Sequence, residues 1–249
     1  MKYDGLEASY WNAQIERIER LRAKIAARAV SSPGRIFPAD QDLVIGTGRR
    51  IPATILFTDI SGFSARASTT AEEQEMLLRV LNLYFTEMIR VVEDYGGTVE
   101  KNTGDGLMAY FEELPGEGVN STQRAVACAL TMNAANDIII AQVLRASNVN
   151  PIQHRMSIEH GLITVARIGA AQRFNANVAI GNAANFASKM LANLQAGQIG
   201  LGSNAWSRLP EMWRTNWTER SPISTGWTQG LLDIPYPLFL YTGRWTRLI

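Results

Sequence analysis

Apolar residues recur every three or four positions in three segments of the chain, which is the period of an amphipathic helix. The first segment covers residues 7–28, and its apolar stripe consists of Trp11, Ile15, Ile18, Leu21 and Ile25. The second covers about 70–95 and stops at Gly96 and Gly97, and the third covers about 121–145. We expect a long helix in each segment. The first stripe can pack against the protein's own core or against a second subunit.

Strand patterns alternate with these helices. A continuous apolar run predicts a buried strand at 54–59, and residues 98–111 predict a hairpin around a tight Thr-Gly-Asp-Gly turn. Residues 155–161 and 163–169 are predicted to be a pair of strands. Further along, we expect a helix at 182–197, a short strand at 198–202, a short helix at 203–209 and a strand at 235–243. This alternation predicts an α+β fold, a sandwich in which helices cover a sheet.

Composition narrows the possible partners and compartments. The chain has 249 residues and is 46% hydrophobic, enough for one large domain or for a domain with an extension. The net charge of +1 argues against broad binding to nucleic acid or anionic membranes. Cys128 is the only cysteine, and the N-terminus lacks the apolar core of a signal peptide. We therefore predict a cytoplasmic protein with no nucleic-acid partner and no membrane insertion.

Two aspartates stand at positions where carboxylates need a partner. Asp59 ends the predicted strand at 54–59, and Asp105 lies in the hairpin turn. Two carboxylates brought together repel each other unless a cation lies between them, and Mg²⁺ prefers such oxygen ligands. The turn of Ser61, Gly62 and Phe63 can offer backbone amides to a triphosphate, with Gly62 allowing close approach. Taken singly, each aspartate could instead be a helix cap or a turn residue.

Four blocks of sequence resemble, in the same order, the signature blocks of the class III nucleotide cyclase catalytic domain. They are "ILFTDISGFS", "GGTVEKNTGDGLMAYF", "IEHGLITVARIGA" and "IGNAANFASKM". The resemblance covers about residues 50–243 and is strongest to the pyrimidine (uridylate) cyclases of bacterial Pycsar anti-phage systems. It implies a ferredoxin-like βαββαβ core at 50–249, preceded by an N-terminal helix and linker at 1–49. It also implies a head-to-tail homodimer with active sites at its interface.

The resemblance also implies roles for individual residues. Asp59, Asp105 and the carbonyl of Ile60 would hold two Mg²⁺ or Mn²⁺ ions that activate the ribose 3′-hydroxyl and clamp the triphosphate. The opposite chain would supply Lys101 to the base and Asn185 to the ribose. Lys189 stands where the family usually has an arginine that stabilises the reacting phosphate, and lysine lacks the planar fork of donors. Arg167 and Arg173 are candidates for an additional cation.

The base-reading positions depart from the family pattern. Val178 stands where the family has a purine-reading aspartate or another polar residue, and valine offers no hydrogen bond to a base. Lys101 can donate to a uracil carbonyl, and Asn177 could turn toward the base. We predict UTP, ahead of CTP, as the substrate, with cyclic UMP and pyrophosphate as products. An alignment shifted by one residue would put Asn177 at the polar position. The alternatives are a cytidylate or adenylate cyclase, or a degenerate module that only binds nucleotide.

Overall fold

The computed structural model describes residues 31–33, 47–66, 68–102, 104–114, 116, 118–171, 174–229 and 234–245. The helix predicted at 7–28 lies outside these residues. The described residues form two compact units. Those up to Ile51 belong with Thr164–Ile180, and Pro52–Ile163 belongs with Gly181–Ile249. We call these the first and the second unit and describe each by itself.

Strands and helices alternate along the chain as the sequence predicts. The strands are β1 (Ser31–Pro33), β2 (Gly48–Ile60), β3 (Thr98–Asn102), β4 (Gly106–Glu112), β5 (His154–Ala171), β6 (Phe174–Ile180), β7 (Ile199–Gly202), β8 (Thr218–Arg220), β9 (Thr228–Gln229), β10 (Ile234–Pro235) and β11 (Leu238–Tyr241). The helices are α1 (Ala71–Asp94), α2 (Ser121–Ala134), α3 (Ala141–Ala146), α4 (Asn182–Met190), α5 (Ser203–Ser207) and α6 (Glu211–Trp217). A π-helical segment, Ala135–Ile140, joins α2 to α3, and 3-10 turns cover Phe63–Ala65 and Leu191–Asn193.

The strand order confirms the α+β prediction. The main sheet runs β3-β4-β2-β5-β7-β11-β8, and its first four strands with α1 and α2 form the ferredoxin-like βαββαβ arrangement. β2 and β3 each pair antiparallel with β4, whereas β5 pairs parallel with β7. In the first unit, β1 pairs parallel with β2, and β6 pairs antiparallel with the end of β5.

The core of the second unit lies between the sheet and its long helices. α1 begins with a capping box in which Thr70 and Glu73 bond to each other's backbone amides, and its apolar face carries the buried Val80, Tyr84 and Met88. Cys128, on α2, is fully buried in the same cluster. By length and composition alone, the helix Ser121–Ala146 could cross a membrane, because an 18-residue stretch of it has a mean hydropathy of 1.4. However, 56% of that stretch is buried inside the protein. A core helix of this kind passes the same test.

The prediction of two strands at 155–161 and 163–169 is wrong, because β5 is one continuous strand from His154 to Ala171. A Cβ on Gly161, the last residue of the first predicted strand, would lie 3.1 Å from the Cβ of Ala183. This glycine therefore allows α4 to approach the strand. The prediction also omitted β6, which continues the pairing of β5 in the first unit through residue pairs such as Val165 and Ala179.

Candidate active site

The backbones of the two predicted aspartates lie side by side where β2 ends beside the hairpin. In the β2–β4 register Asp59 lies opposite Gly106, and the amide of Ile60 donates to the carbonyl of Asp105 over 3.0 Å. Gly104, with φ +88°, provides the left-handed residue that the hairpin turn requires. Pairing between adjacent strands therefore places the backbone of Asp105 next to the last residues of β2.

The turn after β2 offers fewer amides than the sequence suggested. The Ser61 amide donates to the carbonyl of Gln153 over 2.8 Å and is already used. Gly62 adopts φ +69°, and nothing lies within 4 Å of the place where its Cβ would be. Of the three turn residues, only Gly62 and Phe63 can thus present amides to a phosphate, and the backbone of Gly62 is open to close approach.

Arg155, which was not predicted from the sequence, forms an ion pair with Asp59. Its guanidinium donates to Oδ2 of Asp59 through Nε at 2.9 Å and Nη2 at 2.8 Å, and to the carbonyl of Leu194 at 3.2 Å. The side chains of Arg155 and Asp59 are 29% and 22% exposed. Arg155 stands near the start of β5 and Asp59 near the end of β2. In a βαββαβ sheet these two strands are antiparallel neighbours, so the end of β2 lies beside the start of β5. The predicted fold therefore already implied that residues near 155 lie close to Asp59.

The donor set fits a hard divalent cation. Both bonds from Arg155 fall on Oδ2 of Asp59, so Oδ1 carries neither of them. Asp105 is half-buried at the adjacent turn. Among the described residues no group of three His, Cys, Asp or Glu side chains forms a metal cluster. Two carboxylates and a backbone carbonyl, completed by phosphate and water oxygens, are the ligands that Mg²⁺ usually takes.

The residues predicted to come from the opposite chain lie on other elements. Asn185 and Lys189 are exposed on α4, one helical turn apart. Lys101 lies on β3 opposite Met108, with a β-bulge just before it. The described residues show no hydrogen bond or ion pair joining Asn185 or Lys189 to Asp59.

Two of the residues predicted to read the base, Asn177 and Val178, lie in the first unit. Val178 is a half-buried residue of β6 opposite Ala166, and Asn177 lies opposite Arg167. The side chains of Lys101, Asn177 and Arg167, like the whole of Arg173, are outside the described part of the chain.

Residues 48–226 match the model of the adenylate and guanylate cyclase catalytic domain. The chain is 29% identical over 206 residues to an adenylate cyclase of Mycobacterium tuberculosis, which covers 83% of this chain and 42% of that protein. The chain therefore spans about two fifths of that relative. A uridylate cyclase of Rhodovulum sp. is 24% identical over 176 residues, covering 66% of this chain and 68% of the relative.

Solved structures share the fold. The adenylyl cyclase CyaB from P. aeruginosa superimposes with a TM-score of 0.65 at 25% identity, covering 81% of this chain and 98% of that one. The guanylyl cyclase Cya2 also gives a TM-score of 0.65, at 24% identity, covering 80% and 95%. A class III adenylyl cyclase-like ATP-binding protein from Pseudomonas aeruginosa gives 0.64 at 20% identity, covering 76% and 41%.

Proposed function

The chain belongs to the adenylate and guanylate cyclase catalytic domain family, and on this premise we propose that it cyclises a nucleoside triphosphate, releasing pyrophosphate. The proposed substrate is a pyrimidine nucleotide, UTP ahead of CTP, and the product is the 3′,5′-cyclic monophosphate. The observation that carries the proposal is the edge where Asp59 and the turn of Asp105 meet, with Arg155 on the carboxylate.

Asp59, Asp105 and the Ile60 carbonyl are the proposed ligands of two Mg²⁺ or Mn²⁺ ions. Bound there, such ions would offset phosphate charge and favour ionisation of the 3′-hydroxyl. Arg155 already contacts the carboxylate that would face the metal, so its guanidinium is within reach of an attached triphosphate. The amides of Gly62 and Phe63 bind a phosphate oxygen in this scheme. Arg155 thus supplies the planar fork that Lys189 lacks.

The choice of base rests on Val178 and Lys101. An apolar residue at position 178 cannot accept a hydrogen bond from the adenine amino group, while a lysine can donate to a uracil carbonyl. The uridylate cyclase relative supports this substrate. The adenylate cyclase of Mycobacterium tuberculosis matches at higher identity and over more of the chain, which supports ATP as the alternative.

Competition among equimolar ATP, GTP, CTP and UTP with Mn²⁺, with products identified by mass spectrometry, tests both parts of the proposal. We expect pyrophosphate and mainly cyclic UMP. Dominant cyclic AMP or cyclic GMP would overturn the role of Val178, and dominant cyclic CMP would overturn only that of Lys101. Val178→Asp, which restores the family's residue, is expected to raise the share of cyclic AMP, with Val178→Ile as the apolar control.

We propose a homodimer in which Asn185 and Lys189 of one chain complete the site of the other. Their exposed positions on α4 support this arrangement. Mixing an Asp59→Ala chain with an Asn185→Ala chain should restore partial activity, because one of the two sites in the mixed dimer receives both intact halves. A mixture that stays inactive although its subunits exchange would contradict the composite site.

A module that binds nucleotide without turnover is the second candidate function. The structural likeness to a cyclase-like ATP-binding protein and the lysine at position 189 favour it. Nucleotide binding measured by calorimetry, without pyrophosphate release from any of the four triphosphates, would support the module over the enzyme.

We further propose that the product is a second messenger in anti-phage defence, made in the cytoplasm. The support is the likeness of the sequence to pyrimidine cyclases of defence systems and its single cysteine. Cyclic UMP measured in extracts of cells expressing the protein, before and after phage infection, tests this role. A level that does not respond to infection would contradict it.

A further inference from the structure

A network of four hydrogen-bonded, buried polar side chains crosses the core behind Asp59 and Arg155. Thr58 Oγ1 lies 3.2 Å from the Tyr84 hydroxyl, which lies 2.6 Å from Nδ1 of His154. Nε2 of that imidazole lies 2.7 Å from Oδ1 of Asn133. The four residues belong to β2, α1, β5 and α2, and none is more than 3% exposed. One hydrogen-bonded network therefore links the four elements that build this end of the core.

The donor and acceptor roles in this network follow one direction. Because Oδ1 of Asn133 can only accept, Nε2 of His154 carries the ring proton and Nδ1 accepts from the Tyr84 hydroxyl. The Tyr84 oxygen then accepts from Thr58. The imidazole remains neutral because its burial lowers the pKa of His154 to about 4. No charge of its own therefore competes with Arg155 for Asp59.

This network is coupled to the Asp59–Arg155 pair because their residues are neighbours in the sequence. Thr58 immediately precedes Asp59, and His154 immediately precedes Arg155. Successive side chains of a strand point to opposite faces of the sheet. Thr58 and His154 accordingly face the helix-covered core, while the Asp59–Arg155 pair lies on the other face. A shift of β2 against β5 would stretch the buried bonds and the ion pair together.

We propose that Tyr84 and His154 are positioning residues, whose buried hydrogen bonds hold β2 and β5 so that Asp59 and Arg155 keep the geometry for metal and phosphate. Buried polar groups must be hydrogen-bonded, and a hydrophobic residue in place of His154 would fill the core without that demand. The backbone ladder between β2 and β5 sets their register, and the directed side-chain bonds add a second constraint that apolar packing would not supply. The inference rests on the proposed cyclase function.

Tyr84→Phe removes the hydroxyl and leaves the ring. Tyr95→Phe is the matched control, because Tyr95 caps the C-terminus of the same helix, α1, and its hydroxyl bonds Thr131 Oγ1 of α2 at 2.7 Å, away from the site. Mn²⁺ binding is measured by loss of the free Mn²⁺ resonance signal in the presence of 3′-deoxy-UTP, which cannot cyclise. We expect Tyr84→Phe to weaken Mn²⁺ binding about fivefold to tenfold, the size of one lost hydrogen bond. Tyr95→Phe should bind Mn²⁺ as the wild type does.

His154 supplies the rescue experiment. Gln keeps one acceptor and one donor, whereas Leu keeps neither, so His154→Gln should bind Mn²⁺ more tightly than His154→Leu. Equal losses in Tyr84→Phe and Tyr95→Phe, or no difference between His154→Gln and His154→Leu with both folded by circular dichroism, would overturn the positioning role. A wild type that binds no Mn²⁺ and releases no pyrophosphate would instead overturn the proposed function.

Discussion

Arg155→Met tests whether the cation on Asp59 serves the nucleotide. The substitution keeps an unbranched apolar stem and removes the charge together with the bonds to Asp59 and the Leu194 carbonyl. In the proposed site those donors turn to the triphosphate when a metal takes the carboxylate. We therefore expect Arg155→Met to lower kcat/KM, while binding of Mn²⁺ in the absence of nucleotide stays equal or tightens.

The magnitude follows from the geometry. A hydrogen bond to a charged group contributes roughly 1.5–3 kcal/mol, and a guanidinium can make two such bonds to a phosphate. The 29% exposure of the Arg155 side chain argues for the lower half of the resulting range. We take about 3 kcal/mol, which corresponds to about a 100-fold loss in kcat/KM.

Steady-state pyrophosphate release and Mn²⁺ titration without nucleotide measure the two quantities. Arg208→Met is the matched control, because Arg208 forms an ion pair with Glu113 at similar exposure, 33% and 37%. If Arg155→Met stayed within threefold of wild-type kcat/KM, or lost no more than Arg208→Met, the phosphate role would be refuted. Weaker binding of Mn²⁺ alone would show that Arg155 supports the carboxylate rather than competing with the metal.

Three further predictions concern the metal edge and the core. Asp59→Asn and Asp105→Asn should each reduce product to background with little change in Tm, because a neutral amide replaces the charge a metal requires; near-normal product would contradict the assignment. Burial raises the pKa of Glu159 to about 7, so this carboxyl ionises at lower pH in the unfolded chain than in the folded one. The free energy of unfolding of the wild type, measured in urea, should therefore fall as the pH rises from about 4.5 to 7, and that of Glu159→Gln should fall less. Gly97→Ala would place a Cβ 2.6 Å from the Phe111 ring, and urea unfolding should show a loss of about 1–3 kcal/mol, so an unchanged midpoint would refute the clash.

Local features of this site could be predicted from sequence. The strand at Asp59 and the hairpin at Asp105 each depend on a few neighbouring residues, a continuous apolar run and a glycine-rich turn. Their proximity then follows from pairing within the sheet. The helix from Ser121 to Ala146 was likewise predictable in length, although its π-helical segment was not, because the apolar period hardly changes there.

Non-local features were the ones missed. Arg155 meets Asp59 only because β5 lies beside β2, and the two residues are 96 positions apart in sequence. The strands predicted at 155–161 and 163–169 are one strand, and the sequence does not show that α4 packs against Gly161 through Ala183. In both cases the deciding contact comes from an element distant in the chain, which residue periodicity does not encode.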